Sequence, residues 1–467
     1  MTSHALTQDA QAAALAPPGR QLLPPNDNLA VAFFFSHYAL DHGVGLQSFE
    51  NNFDSTFGAT LKAVGLAGLG NAAHSPGLLD TARIWYMSAV RQTNKALSSA
   101  DLVKNDSTLL CTMLLTQYEV IAGRGQGSLS AWKNHIQGGA ALLKLRGEDQ
   151  LRTAAGARLF IQAVSMINMI CRQYNQRIPS EIMTLKYHFQ QAFVYDIPWL
   201  QYWDVSVSVT NFYSALYDQS LSATEILAQA TSLDDTLVAI FSDLPPNSQY
   251  HRVTLDHDAP HLFNRTYDIY DSHMAIQMWN SVRATRLMLS YIIRQTLHHQ
   301  TMHQGTQPTS PSPLPSSSTL PNPDNTTLIE QYAATTLTLL HGILYSLPQH
   351  LFANPSSPPV SPSPPSNQNT GYKFLWSNFP TEHPYKLRRA HTLDADSSHG
   401  ETTPPSLPQL RIFGGYMLPH ALYQVGRSDL ATPEMRRYAI WALDKIGEEF
   451  GVGQAVTFAR ELEAGES

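Results

Sequence analysis

From Asp106 to Gly147 the chain reads DSTLLCTMLLTQYEVIAGRGQGSLSAWKNHIQGGAALLKLRG, and no other stretch limits the fold as strongly. Leu110, Met113 or Leu114, Gln117 or Tyr118 and Ile121 recur at the three- and four-residue steps of one helix face. Asp106 and Ser107 suit an N-cap, because their side-chain oxygens can accept the free N–H groups of a first turn. Gly123, Gly125 and Gly127 then break the helix. Ser130 can cap a second helix, in which Trp132, Ile136, Gly139 or Ala140 and Leu143 share a face. This helix is expected to end at Gly147 in a left-handed C-cap, with Lys144 and Arg146 at the negative end of its dipole.

Helical spacing continues through most of the chain. Leu79, Ala82, Tyr86, Ala89, Thr93 and Ala96 form one stripe, and Leu159, Ala163, Met166 and Ile170 another. A long helix is expected over Tyr267–His299, with Ile269, Met274, Met278, Val282, Leu289 and Ile293 mainly on one side. A further one fits Thr327–Tyr345, and Leu418–Gly426 and a helix from Thr432-Pro433-Glu434 complete the C-terminus. In the last, Thr432 is the N-cap and Pro433 the first helical residue, where a missing N–H costs nothing. Pro179, Pro198 and Pro245-Pro246 read as breaks. No stretch alternates over enough residues to require a sheet, and nothing repeats at a clear solenoid period. The expected fold is all-α, a multi-helical array of packed helix pairs interrupted by Pro/Ser-rich disordered insertions.

Residues 1–28 are expected to be a flexible lead and 29–300 a helical domain. A Pro/Ser linker follows at 301–326, a helix of the same domain at 327–352 and a mostly disordered insertion at 353–408. Residues 409–467 then supply C-terminal helices packing on that domain. The biased segments Gln307–Asn325, Ser356–Asn369 and Arg389–Leu407 carry too little apolar surface to offset the entropy of ordering them.

Charge narrows the function. The 467 residues have a net charge of −7, which argues against a nucleic-acid footprint over the whole chain. The short basic cluster Lys386-Leu387-Arg388-Arg389 is a candidate nuclear import signal through Lys386, Arg388 and Arg389. The first residues lack a positive segment followed by a long apolar core, so no secretory signal is expected. Leu29–Phe35 is too short to cross a bilayer, and no membrane partner is expected. Two well-separated cysteines give no disulfide framework, consistent with the nucleus or cytosol.

Catalytic and cofactor motifs fit poorly. Gly123-x-Gly125-x-Gly127 lacks both a preceding strand and the spacing of a phosphate loop, and reads as a helix–helix loop. No G-x-S-x-G elbow is present. His299 and His303 lie one turn apart but lack a third clear ligand, and His251, His257 and His261 fall in a loop-like segment. Asp234-Asp235 lacks the later carboxylate of a magnesium–diphosphate motif, and reads as a dipole partner near a helix start. No cofactor or metal is expected.

The order of these elements resembles the fungal-specific transcription factor domain, the helical regulatory region usually found downstream of a six-cysteine zinc cluster. The resemblance rests on Tyr118 and Glu119 ending a Leu-rich helix, then Trp132, His135, Ile136, Gly138, Gly139 and Ala140, then Leu142, Leu143, Leu145, Arg146 and Gly147. It continues in Ile84-Trp85-Tyr86, Ala96-Leu97 and Pro179-Ser180-Glu181. It returns in Gly414-Gly415-Tyr416-Met417-Leu418-Pro419, Arg437, Trp441, Leu443, Ile446-Gly447 and Gly451-Val452. Six thiolates are needed to hold two zinc ions, and this chain has only Cys111 and Cys171.

The resemblance implies a non-enzymatic transcriptional regulator or co-regulator of the nucleus. It implies protein partners, either a zinc-cluster regulator or the transcription machinery, with DNA reached only indirectly. A small-molecule effector in an inter-helical pocket is the further expectation. An all-α enzyme, or a scaffold derived from the family without a regulatory role, are the competing readings. Trp132, Ile136, Ala140 and Leu143 are expected in the core, and Gly138 and Gly139 at a close helix contact. Glu119 and His135 are expected to form a polar clamp across the glycine loop, with Arg146 as a third member.

Overall fold

The computed structural model describes residues 26–38, 55–123, 137–173, 175–192, 198–242, 244, 248–259, 262–270, 273–304, 323–351 and 414–465. Helix α1 (Asn26–His37) opens three residues before the expected boundary at 29. It packs on α2 (Ser55–Ala72), which also meets α3 (Pro76–Leu97) and α4 (Asp106–Ala122). From Ala59 to Asn71 every residue of α2 except Lys62 is buried. A helix this apolar all round belongs at the centre of a bundle. Its glycines set the spacing: a Cβ on Gly65 would overlap the Ala30 carbonyl, and one on Gly70 would press on Leu79.

Residues 137–146 form α5, followed by a 3₁₀ turn over Gly147–Arg152. Next come α6 (Ala154–Gln173), α7 (Ser180–Ala192), α8 (Pro198–Tyr217) and α9 (Ala223–Ser242). One core cluster joins α1 through α8, with Phe34, Leu66, Leu110, Leu143, Phe160 and Phe189 fully buried. The stripe Leu159, Ala163, Met166 and Ile170 lies in that core.

Two strands follow, one in the segment expected to be loop-like and one at the start of an expected helix. β1 (Tyr250–Thr254) pairs antiparallel with β2 (Thr266–Tyr270), Tyr250 opposite Tyr270 and Thr254 opposite Thr266. The expected helix over Tyr267–His299 therefore starts later, as α10 (His273–Gln304). Both strands are rich in the aromatic and β-branched residues that suit a pleated surface, but at five residues each they leave little alternation to detect. Tyr250, Tyr270 and Trp279 pack together and bind the hairpin to α10, with the Tyr250 and Trp279 rings 5.0 Å apart.

Helix α11 (Pro323–Leu351) begins four residues before Thr327, inside the expected linker, and its opening proline suits a first turn. The C-terminal helices are α12 (Gly414–Arg427), α13 (Pro433–Glu449) and α14 (Gly453–Ala464). Thr432 caps α13 by accepting from the Met435 N–H at 3.2 Å, with Pro433 next in line. These helices form a second core with α10 and α11, and α8, α9 and α10 share a third. The chain closes on itself, because α13 packs on α2 and α14 on α4.

The architecture is all-α, built from packed helix pairs with, among the described residues, one small two-stranded sheet. Most of 1–28, most of 301–326 and all of 353–408 lie outside the described residues, as do Lys386, Arg388 and Arg389. Among the described residues no helix is long and apolar enough to cross a membrane.

Candidate functional site

The segments that carry the family resemblance are far apart in sequence, and α4 draws them together. Near its C-terminal end, the Glu119 carboxylate accepts a hydrogen bond from the Tyr86 hydroxyl of α3. The Tyr86 and Tyr118 rings stack 4.2 Å apart. Burial and the Glu119 charge push the Tyr118 phenol up to about 12 and move Tyr86 the same way, so both stay neutral donors. Beside them, the Lys62 ammonium sits 4.4 Å above the Trp85 ring and 2.8 Å from Asp27.

At the other end of α4, Arg146 is buried and pairs with Asp106, while its Nη1 donates to the Lys104 carbonyl at 2.7 Å. The Asp106 side chain is thus engaged by arginine. The N-cap position is Asn105, with no side-chain capping bond. This corrects the expected link between Arg146 and Glu119. Thirteen residues of helix separate Asp106 from Glu119, about 20 Å at 1.5 Å per residue, so an arginine side chain cannot reach both. Gly147 adopts the left-handed conformation expected of it, with φ +61°. The Gln150 amide then donates to the Leu143 and Gly147 carbonyls at 2.9 and 2.6 Å, closing the end of α5. Lys144 reaches Glu181 at the start of α7 at 2.6 Å and holds that exposed carboxyl at about 2.

Trp132, His135 and Ile136 lie outside the described residues, so the expected clamp is placed only at Glu119. Leu143 is fully buried. Gly138 and Gly139 do not mark a close approach: among the described residues no atom lies within 4 Å of a Cβ on either.

The tight glycines are elsewhere. A Cβ on Gly451 would overlap the Gly68 carbonyl, and one on Gly453 would meet the Ile121 carbonyl at 2.6 Å. Asn71 completes this joint: its amide donates to Ile121 O at 2.7 Å and to Gly451 O at 2.9 Å. Tyr38 adds a bond to Phe450 O at 2.6 Å. Asn71 was not singled out from sequence, although a lone amide ending a run of apolar and small residues is the signal that marks it.

Other polar positions resolve as structure. Asp234 is buried mid-helix in α9 and takes a two-pronged bond from Arg286 at 2.7 and 3.1 Å. It is an ion-pair partner and not the dipole partner expected near a helix start. His251 lies exposed on β1 and His257 exposed in the following loop. Cys111 and Cys171 are free and buried, and burial raises the Cys171 thiol to about 11. Among the described residues no group of three or more His, Cys, Asp or Glu side chains is arranged to hold a metal.

With that arrangement in view, comparison with known sequences is decisive. The sequence profile of the fungal specific transcription factor domain matches residues 61–363. The chain belongs to this family. The match runs from Leu61 in α2 to just beyond α11 and takes in the Tyr86–Glu119, Arg146–Asp106, Lys144–Glu181 and Arg286–Asp234 contacts, but not those made by α1 or by the C-terminal residues from α12 onward. No curated protein and no solved structure matches the chain.

Proposed function

We propose that this chain is the regulatory, partner-binding part of a fungal transcriptional regulator or co-regulator. It acts in the nucleus without catalysis and reaches DNA through a protein partner. The observation that carries this reading is the family match over 61–363, a span whose polar joints lock the helices of a regulatory domain together. Two further facts support the indirect route to DNA. The 467 residues hold two cysteines where a binuclear zinc cluster uses six, and their net charge is −7. The partner is a zinc-cluster regulator or a component of the transcription machinery, held by an exposed apolar helix face. Ile84 and Met87 of α3, 68% and 49% exposed and one turn apart, are the candidate contact.

Three measurements test this together. Deleting the gene is expected to change the abundance of a defined set of transcripts. Chromatin immunoprecipitation of the tagged chain is expected to recover their promoters. The purified chain alone is expected not to retard those promoter fragments at physiological salt. An unchanged transcript profile would remove the regulatory role and leave a scaffold; retardation by the pure chain would remove the need for a partner.

A further inference from the structure

A cavity of about 50 Å³ lies where α6, α8, α10 and α12 meet, away from the α4 joints. At roughly 10–15 Å³ per water-sized sphere it has room for about four non-hydrogen atoms. Its wall is divided by chemistry. Ala284, Met288, Leu418 and Ala421 give an apolar side, and Arg172, Tyr202, Gln277 and His420 a polar one.

The polar side is rich in donors and, among the described residues, lacks a counter-charge. Arg172 spends Nε on Thr210 Oγ1 at 3.1 Å and Nη2 on the Ser206 carbonyl and hydroxyl, both at 2.8 Å. These are neutral acceptors, and among the described residues no Asp or Glu lines the cavity. Gln277 is 8% exposed, and its Nε2 is buried with no hydrogen-bond partner among the described residues. A buried donor left unpaired carries a desolvation cost that a bound acceptor relieves. Burial and the neighbouring Arg172 push His420 down to about 4, so at neutral pH its ring adds no second positive charge.

We propose that this cavity is a binding site for a small carboxylate of two carbons, its oxygens taken by Arg172 and the Gln277 amide and its carbon end by Ala284 and Leu418. Water satisfies donors but leaves the cation without a counter-ion; a carboxylate does both. The site deepens the regulatory reading and rests on it for its purpose. One of its walls, Leu418, His420 and Ala421, belongs to α12, outside the span matched by the family. A ligand bridging α6, α10 and α12 holds that helix onto the domain, which makes it an effector site.

The test uses the full chain and two probes of equal size, acetate and acetamide. Titration calorimetry is expected to show acetate binding at least tenfold tighter than acetamide, and hydrogen exchange in α12 is expected to slow only with acetate. Arg172→Gln and the isosteric Gln277→Glu are each expected to weaken acetate at least tenfold. Thermal unfolding checks both variants, and Gln277→Glu keeps the test open if loss of Arg172 disturbs the α6–α8 contact. No acetate binding to the native chain, equal binding of the two probes, or undiminished binding in Gln277→Glu would each overturn the site. Failure here leaves the regulatory reading standing. Acetate binding alongside an unchanged transcript profile on deletion would instead keep the site and remove that reading.

Discussion

Helices α2 and α10 are both central, and they are buried by opposite means. α2 carries small and apolar residues on all sides, and its neighbours approach until backbone meets backbone at Gly65 and Gly68. α10 buries Gln277, Asn280, Arg283, Thr285, Ser290 and Arg294. Its neighbours are held by side-chain bonds: Arg283 to Tyr270 at 2.6 Å and to the Gly342 carbonyl at 2.9 Å, Arg294 to Asp429 at 2.7 Å, and Ser290 to Thr336 at 2.8 Å. A glycine seam leaves no space and has no chemistry to offer. A polar core leaves some donors unpaired, and at Gln277 the unpaired donor faces a cavity.

The largest effect should come from breaking the polar side at its most buried charge. Asp268 is fully buried and anchors Arg252 at 2.7 Å, with Arg283 at 3.6 Å. Asp268→Ala leaves one buried arginine without its carboxylate and is expected to cost about 3–5 kcal/mol in urea unfolding. The glycine seam should break nearly as hard at Gly451, where φ is +66° and a Cβ meets the Gly68 carbonyl. Gly451→Ala combines left-handed strain of about 1–2 kcal/mol with overpacking of about 1–3 kcal/mol, and the same unfolding measurement reads the sum. A change of less than about 1 kcal/mol would mean the seam opens easily.

A smaller effect depends on pH, and burial of His37 on α1 and His341 on α11 adds to it in the same direction. His420 takes up its proton only near pH 4 when folded, against about 6.5 in the unfolded chain. Between those values the unfolded chain binds more protons, so stability should fall as pH drops from about 6.5 toward 4. His420→Gln should reduce that slope between pH 6.5 and 5, above the range of ordinary carboxylates, leaving the part due to His37 and His341. The smallest effect should be a gain. Gly138→Ala meets nothing within 4 Å among the described residues and should stabilise α5 by up to about 1 kcal/mol, read by thermal unfolding.

The helices were largely legible because each advertises itself locally. The stripes of α3 and α6, the glycine stops at Gly123 and Gly147 and the Thr432-Pro433 cap all act within one or two turns, and all stand where the pattern put them. The β-hairpin was not legible, since a five-residue strand is specified by its partner twelve or more residues away. Of the motif positions, Tyr118, Glu119 and Arg146 were legible as polar or aromatic residues within an apolar context, but their partners were not. Tyr86 and Asp106 become partners only when α3 and α5 fold onto α4. Gln277 and Arg172 gave no signal, being ordinary polar residues in helical segments about a hundred positions apart.

Local spacing and motif order therefore determined that this protein is helical, where its main helices run and which family it belongs to, because those properties reside in residues three or four apart or in a fixed succession of segments. Which glycine is a contact, which carboxylate an arginine finds, and that a polar cavity closes between α6, α10 and α12 were decided by tertiary structure alone. These are properties of pairs distant in the chain, and their energies depend on the burial that only packing creates.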